Sequence, residues 1–334
     1  MTLEKRINTF VKLGDYLKND FFICHSNVID GITFKNPWFI KSSIKSSLNY
    51  WGTNLDLEVL KAWLNPYYIS NKTIPKRVLI IMAGNIPLVG FHDFLSVIIS
   101  GNKAVIKLSS DDNILMPLII KKLIDINPDI EKYIELNNEI KEKVFDAVIA
   151  TGSDNSSNYF EYYFKDIPKI IRKNRTSIAV LDGDEEEIDL KGLAHDIFSF
   201  FGLGCRNVSK IFLPEGYDLN KLFQVFYSYK SVLEHRKYVN NYSYNKTVFL
   251  MGGHKLIDNG FLLLKEDKSL LAPIAMLYYE FYSDIKQIEG FILSNKEKLQ
   301  CVISKSETPF GYSQKPNLWD YADGIDSINF LKNI

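Results

Sequence analysis

Cysteine is scarce: 334 residues carry only Cys24, Cys205 and Cys301, far apart and in no CxxC pair. So odd and scattered a set excludes a disulfide framework and a zinc-ribbon spacing, and fits a reducing compartment. Net charge is also missing, because 40 Lys and Arg balance 40 Asp and Glu. No global field therefore draws the chain to nucleic acid or to an anionic membrane. Long apolar runs are absent too. The most apolar stretch, 78–99, contains His92 and Asp93 and is broken by Gly84, Asn85, Pro87 and Gly90, whereas a spanning helix needs about 20 uninterrupted apolar residues. The start, MTLEKRINTF, puts charges where a signal peptide needs an apolar stretch. A soluble, cytoplasmic protein without a membrane span is expected. The fingerprint G-x-G-x-x-G is nowhere in the chain, which weakens a standard Rossmann reading. No acidic or Cys/His cluster has metal-ligand spacing, so no metal is expected.

What is present suffices for a large core: 46% of residues are hydrophobic and 13% aromatic, and the length suggests about two domains. Residues 1–75 read as mixed helix and loop, with Trp38, Trp51 and Trp63 as packing residues. From Arg77 the pattern sharpens. RVLIIMAG reads as a buried parallel strand, IPLVGFHDFLSVIIS as a helix stopping at Gly101, and KAVIKL as a second buried strand. Strands at FDAVIA, PKII and SIAVLD and a helix after TGSDNSSN extend the alternation, so the fold class is α/β with a parallel sheet. DLKGLAHDIFSFFG reads as a helix leading to Cys205, and NVSKIFLP, IAMLYYEF and LQCVIS as further strands. The acidic run 182–189 reads as a solvated connection between domains.

Four stretches carry chemistry. AGNIPL places Asn85 at the carboxyl end of the first strong strand, where its amide either donates to an oxyanion or caps the next helix. VIKLSS ends a buried strand in Lys107, which either holds a ribose or phosphate or snorkels to water. ATGSDNSSN makes a strand–turn–helix junction at Gly152 and Ser153, suited to an anion or to ordinary capping. FFGLGCRNVSK puts Cys205 beside Gly202 and Gly204, as a nucleophile or as a small core filler. His195, ten residues earlier, could form a Cys–His pair but sits where a packed or solvent-facing ring is the simpler reading. Cys24 and Cys301 read as structural.

In that order the four stretches resemble the aldehyde dehydrogenase superfamily. SFFGLGCRNVSKIFLP, residues 199–214, is similar to its acyl-CoA reductase branch, the LuxC-like reductases. The resemblance spans roughly 75–330. It implies an aldehyde dehydrogenase-like fold, with residues 1–190 as an N-terminal and NADP(H)-binding domain. Residues 191–300 would be a smaller catalytic domain with Cys205, and 301–334 a tail for packing or oligomerisation. It implies Cys205 as the acyl-accepting nucleophile, and Asn85 with the Cys205 N–H as oxyanion donors. Lys107 would hold the adenosine ribose, and Gly152 and Ser153 would face the pyrophosphate. Ser110 stands where hydrolytic members usually carry a Glu, which favours NADPH. No carboxylate lies between Ile170 and Val180, where those members carry their hydrolytic base.

The implied function is NADPH-dependent reduction of a fatty acyl thioester, from acyl-CoA or an acylated partner protein, to a long-chain aldehyde through S-acyl-Cys205. A homo-oligomer, or a complex with an acyl-protein synthetase subunit, is the expected assembly. A Cys-dependent acyltransferase or thioesterase without nicotinamide is the alternative.

Overall fold

Thr2 opens the first helix by accepting the Lys5 N–H, and Asp56 opens the fifth by accepting that of Glu58. The computed structural model describes residues 1–69, 74–137 and 144–334. Five helices come first: α1 (Leu3–Asn19), α2 (Phe21–Cys24), α3 (Ser26–Lys35), α4 (Lys41–Asn54) and α5 (Leu57–Leu64). Residues at helical spacing, such as Phe10, Leu13 and Leu17 or Ile44, Leu48 and Trp51, are buried in one core with Trp63. Trp63 packs as the sequence suggests.

The α/β alternation follows: β1 (Arg77–Ile81), α6 (Phe91–Ile99), β2 (Lys103–Lys107), α7 (Leu115–Ile126), β3 (Ile134–Leu136), β4 (Ala147–Thr151), α8 (Asp154–Tyr163) and β5 (Lys169–Arg172). The five strands form a wholly parallel sheet in the order β3-β2-β1-β4-β5. Val78–Ile81 and Ala104–Ile106 are apolar at successive positions because both faces of these central strands are buried. The edge strand β3 is three residues long and partly exposed; it lacks the apolar run that betrays its neighbours.

A second sheet is built from β6 (Thr176–Val180), α9 (Glu187–Phe198), β7 (Val208–Pro214), α10 (Asn220–Phe226), α11 (Arg236–Met251), β8 (Ile257–Asp258), β9 (Leu263–Glu266), β10 (Met276–Tyr282), α12 (Ile285–Ser294) and β11 (Leu299–Ile303). Its order is β11-β6-β7-β10-β9-β8, parallel except for the β8–β9 pair. The last helix is α13 (Ser327–Lys332).

Two compact units result, Met1–Asn174 with Asn317–Ile334, and Arg175–Pro316. The sequence places a boundary at 190/191, but β6 pairs with β7 and β11, so the chain enters the second unit at Arg175. The acidic run 182–189 thereby lies inside that unit and does not link two domains. There Asp182 pairs with Lys305 at 2.9 Å, and Glu186 with Asp189 forms the capping box of α9. The tail also divides, with 301–316 in the second unit and 317–334 in the first. Among the described residues, no helix is long and apolar enough to cross a membrane.

Candidate active site

In the first unit the chain runs outward from β1 to β2 and β3, then returns to the other side of β1 for β4 and β5. The carboxyl ends of β1 and β4 flank that reversal, the place where open α/β sheets bind ligands. Asn85 lies in the turn after β1 and is exposed; Lys107 ends β2, partly exposed, and Ser110 follows, exposed. Gly152 and Ser153 follow β4 and open the ten-residue α8. All five sequence candidates in this unit thus share one edge of one sheet.

The Ser153 hydroxyl accepts the Ser156 N–H at 3.4 Å, so it serves as N-cap. A Cβ on Gly152 would lie 2.8 Å from the Ser156 Cβ and 3.1 Å from the Phe160 ring. The Gly152 N–H meets the Arg172 carbonyl at 3.4 Å, so a helix N-terminus, a lysine and an exposed serine at one strand edge are the groups here with the chemistry to meet a phosphate or a ribose.

The Asn85 turn is held from beside it. The Leu88 N–H donates to Asp112 Oδ2 at 3.0 Å, while Leu88 itself adopts φ 60°. A Cβ on Gly84 would lie 2.6 Å from Ser109 Oγ and 3.0 Å from the Asp112 nitrogen. The Gly84 backbone is therefore packed against the Ser109 side chain and the Asp112 backbone. Burial pushes the Asp112 carboxyl up to about 6, against the opposing pull of the Leu88 and Leu115 N–H groups.

Cys205 belongs to the second unit and is partly exposed. After α9 the chain turns through Phe200 (φ 50°), Phe201 (φ 57°) and Gly202 (φ 79°). Two adjacent bulky residues in the left-handed region cost roughly 1–2 kcal/mol each, so their surroundings must impose the bend. Asn207 does much of this. Its side chain is buried, donates to the carbonyls of Asp196 (3.0 Å) and Ser199 (2.8 Å), and accepts the Gly204 N–H at 2.8 Å. From below, Ser177 Oγ on β6 donates to the Cys205 carbonyl at 3.0 Å.

Cys301 Sγ lies 3.0 Å from that same Ser177 hydroxyl. Its thiol is pushed up by burial, with the Arg206 guanidinium pulling the other way. The buried Asp196 accepts the N–H groups of Gly311 (2.7 Å) and Ser313 (3.1 Å), pinning the loop after β11 to α9. The His195 ring sits between the Tyr229 hydroxyl and Ser199 Oγ, each at 3.3 Å from Nδ1, and burial lowers its basicity.

Between Ile170 and Val180 the structure provides Arg172, whose buried guanidinium bonds Asp93 in two places (2.6 and 3.2 Å). His92, the neighbour of Asp93 on α6, meets the Leu318 carbonyl at 2.9 Å. This His–Asp pair therefore anchors the tail. Among the described residues no group of three or more His, Cys, Asp or Glu is arranged to hold a metal ion. Asn207, Asp112 and Ser177 were not singled out from the sequence. Their only local signal is a polar residue next to apolar strand or helix positions.

The acyl-CoA reductase (LuxC) family model matches residues 39–235. A long-chain acyl-protein thioester reductase of Aliivibrio fischeri is 26% identical over a 301-residue alignment that covers 79% of this chain and 61% of that protein. A second such reductase, from Photobacterium leiognathi, is 24% identical over 196 residues, 52% of this chain and 40% of that one. The chain thus spans about three-fifths or less of the curated relatives it matches. Among solved structures, aldehyde dehydrogenase 21 from Physcomitrella patens superposes with a TM-score of 0.65 at 14% identity, covering 91% of this chain and 74% of that one. The NADP-dependent glyceraldehyde-3-phosphate dehydrogenase from Bacillus halodurans does so at 0.64 and 13%, with 91% and 74% covered. The fold is that of the aldehyde dehydrogenases.

Proposed function

Because the chain belongs to the LuxC acyl-CoA reductase family, we propose that it reduces a long-chain acyl thioester to the aldehyde through an acyl group carried on Cys205. The observation that carries this reading is the Cys205 loop: a partly exposed thiol on backbone held by Asn207 and Ser177. The acyl donor is an acyl-protein thioester, as the Aliivibrio fischeri relative's name describes for that protein, or acyl-CoA. The assembly is a homo-oligomer, or a complex with an acyl-protein synthetase subunit that would present the donor.

The Cys205 sulfur attacks the acyl carbonyl, the donor thiol leaves with a proton, and the acyl group rests on the enzyme as a thioester. The Asn85 amide and the Cys205 N–H stabilise the oxyanion formed on that carbonyl. Lys107 and Ser110 would hold the adenosine ribose of NADPH, and Gly152 and Ser153 its pyrophosphate. Bound there, the cofactor supplies hydride. Ser110 leaves room for a 2′-phosphate that a carboxylate would repel. The segment 170–180 contains no carboxylate to activate water, so the acyl thioester is preserved. Breaking the carbon–sulfur bond of the resulting thiohemiacetal frees the aldehyde and restores the thiol. On this reading the first unit binds the cofactor and the second carries the nucleophile.

The test mixes the full chain with NADPH or NADH and acyl-CoAs or acyl-proteins of graded length, following cofactor loss and aldehyde. Cys205→Ala is expected to lower turnover by at least ~10³-fold, the order seen when a covalent nucleophile is removed. Normal turnover by that variant sinks the reading. Acylation without cofactor loss would favour the acyltransferase.

A further inference from the structure

We infer that Asp112 is a positioning residue, which sets the Asn85 turn in place from the turn after β2, just beyond the Lys107–Ser110 segment. The inference rests on the proposed role of Asn85 as an oxyanion donor. Three observations meet at this carboxylate. Its side chain is buried yet bonds a backbone N–H of another loop, Leu88, at 3.0 Å. Leu88 is held at φ 60°, a conformation that a non-glycine residue keeps only when its surroundings impose it. Gly84 approaches Ser109 and Asp112 so closely that a Cβ would fall 2.6 Å from Ser109 Oγ.

Asn85 lies between these two fixed points, Gly84 and Leu88, so the backbone that carries it is held on both sides. The same segment is stiffened on its own side, where the Asp111 N–H donates to Ser109 Oγ at 3.2 Å. The turn that would bind the cofactor and the turn that would bind the oxyanion are thus tied by one carboxylate. An Asn or Asp at 112 can accept the Leu88 N–H, whereas Ala or Leu cannot. A shift of about 1 Å in a positioned group costs on the order of 10²-fold in rate.

The experiment compares wild type, Asp112→Asn, Asp112→Ala and Asn85→Ala by steady-state turnover, with hydrogen exchange of the 84–90 peptide. Asp112→Ala is expected to lose about 10²-fold in kcat, in the range for removing one oxyanion donor, with KM for acyl donor and cofactor changed less than about twofold. Asp112→Asn should restore kcat to within about threefold. The double variant Asn85→Ala/Asp112→Ala should be no slower than Asn85→Ala, and the Leu88 amide should lose protection in Asp112→Ala only.

If alanine leaves an insoluble chain, Asp112→Leu repeats the comparison, being close in shape and without an acceptor. Wild-type turnover by Asp112→Ala, losses that add in the double variant, or unchanged Leu88 exchange would each overturn the inference. Normal turnover by Asn85→Ala would overturn the oxyanion reading and this inference with it. A wild type that reduces no acyl donor counts against the proposed function alone, because Leu88 exchange still tests the tie.

Discussion

Asp112 shows what one buried acid contributes. Burial raises its carboxyl from 3.8 to about 6, so the folded chain keeps a proton there that the unfolded chain has released. Between about pH 4 and 6, folding takes up that proton, so the contribution of this group to stability is fully present below pH 4 and is lost as pH rises through 6. A displacement of about two pH units corresponds to about 3 kcal/mol. Asp112→Asn is therefore expected to be more stable than wild type at pH 7.5 and to match it near pH 4, read by urea denaturation at both values. A carboxylate kept at that cost to stability is consistent with service to the Asn85 turn. From the sequence, Ser110-Asp111-Asp112 reads only as the start of a helix. Its grip on Leu88, 24 residues back, has no local trace.

The loop between α9 and β7 is a unit of the next size. Its apolar flanks are plain in the sequence, and its glycines predict a bend beside Cys205. The left-handed turn is nonetheless made largely by Phe200 and Phe201 (φ 50° and 57°), which propensity would never assign. Burial of Phe201 and its contact with His235, ring centres 4.3 Å apart, hold it in place. Asn207 satisfies the carbonyls that the broken helix end exposes. Asn207→Ala leaves these groups and the Gly204 N–H unsatisfied, and is expected to cost about 2–4 kcal/mol in urea melts, at about 1–3 kcal/mol per buried orphan after partial relaxation. Alkylation of Cys205 by iodoacetamide should change rate in this variant. Asn207→Asp, which keeps the acceptor, should preserve the Gly204 bond and lose the donations.

Across the whole molecule, the returning tail closes the first unit. Arg172 donates to the Ala322 carbonyl at 2.7 Å and to Ser327 Oγ at 3.1 Å while bonded to Asp93. Trp63 Nε1 donates to the Tyr321 hydroxyl at 2.8 Å, and the Tyr67 hydroxyl donates to Asp326 at 2.7 Å. Leu318, Ile328 and Leu331 join the same core. Removing one member of a buried ion pair strands the other, typically at 3–5 kcal/mol. Arg172→Met is expected to lower stability by about that amount and to speed chymotrypsin cleavage within 317–334, at sites such as Trp319, Tyr321 and Phe330, checked by denaturation and timed proteolysis. Unchanged cleavage would show that the tail is held without Arg172.

Strands β1, β2, β4–β7, β10 and β11, the helices α6–α9 and the order of the Asn85, Lys107, Gly152 and Cys205 stretches follow from the sequence alone, whereas it marks no strand at β3, β8 or β9. Each depends on residues close along the chain: a buried parallel strand needs an unbroken apolar run, and a turn needs its glycine or capping residue nearby. Tertiary structure decided the rest. It moved β6 into the second sheet, because strand pairing with Val208 and Leu299 outweighs proximity to β5. It gave His92 and Asp93 to the tail, and set Asp112 and Asn207 at the two turns where chemistry is expected. A hydrogen bond between distant segments depends on where the whole fold brings two backbones together, and no stretch of sequence carries that information by itself.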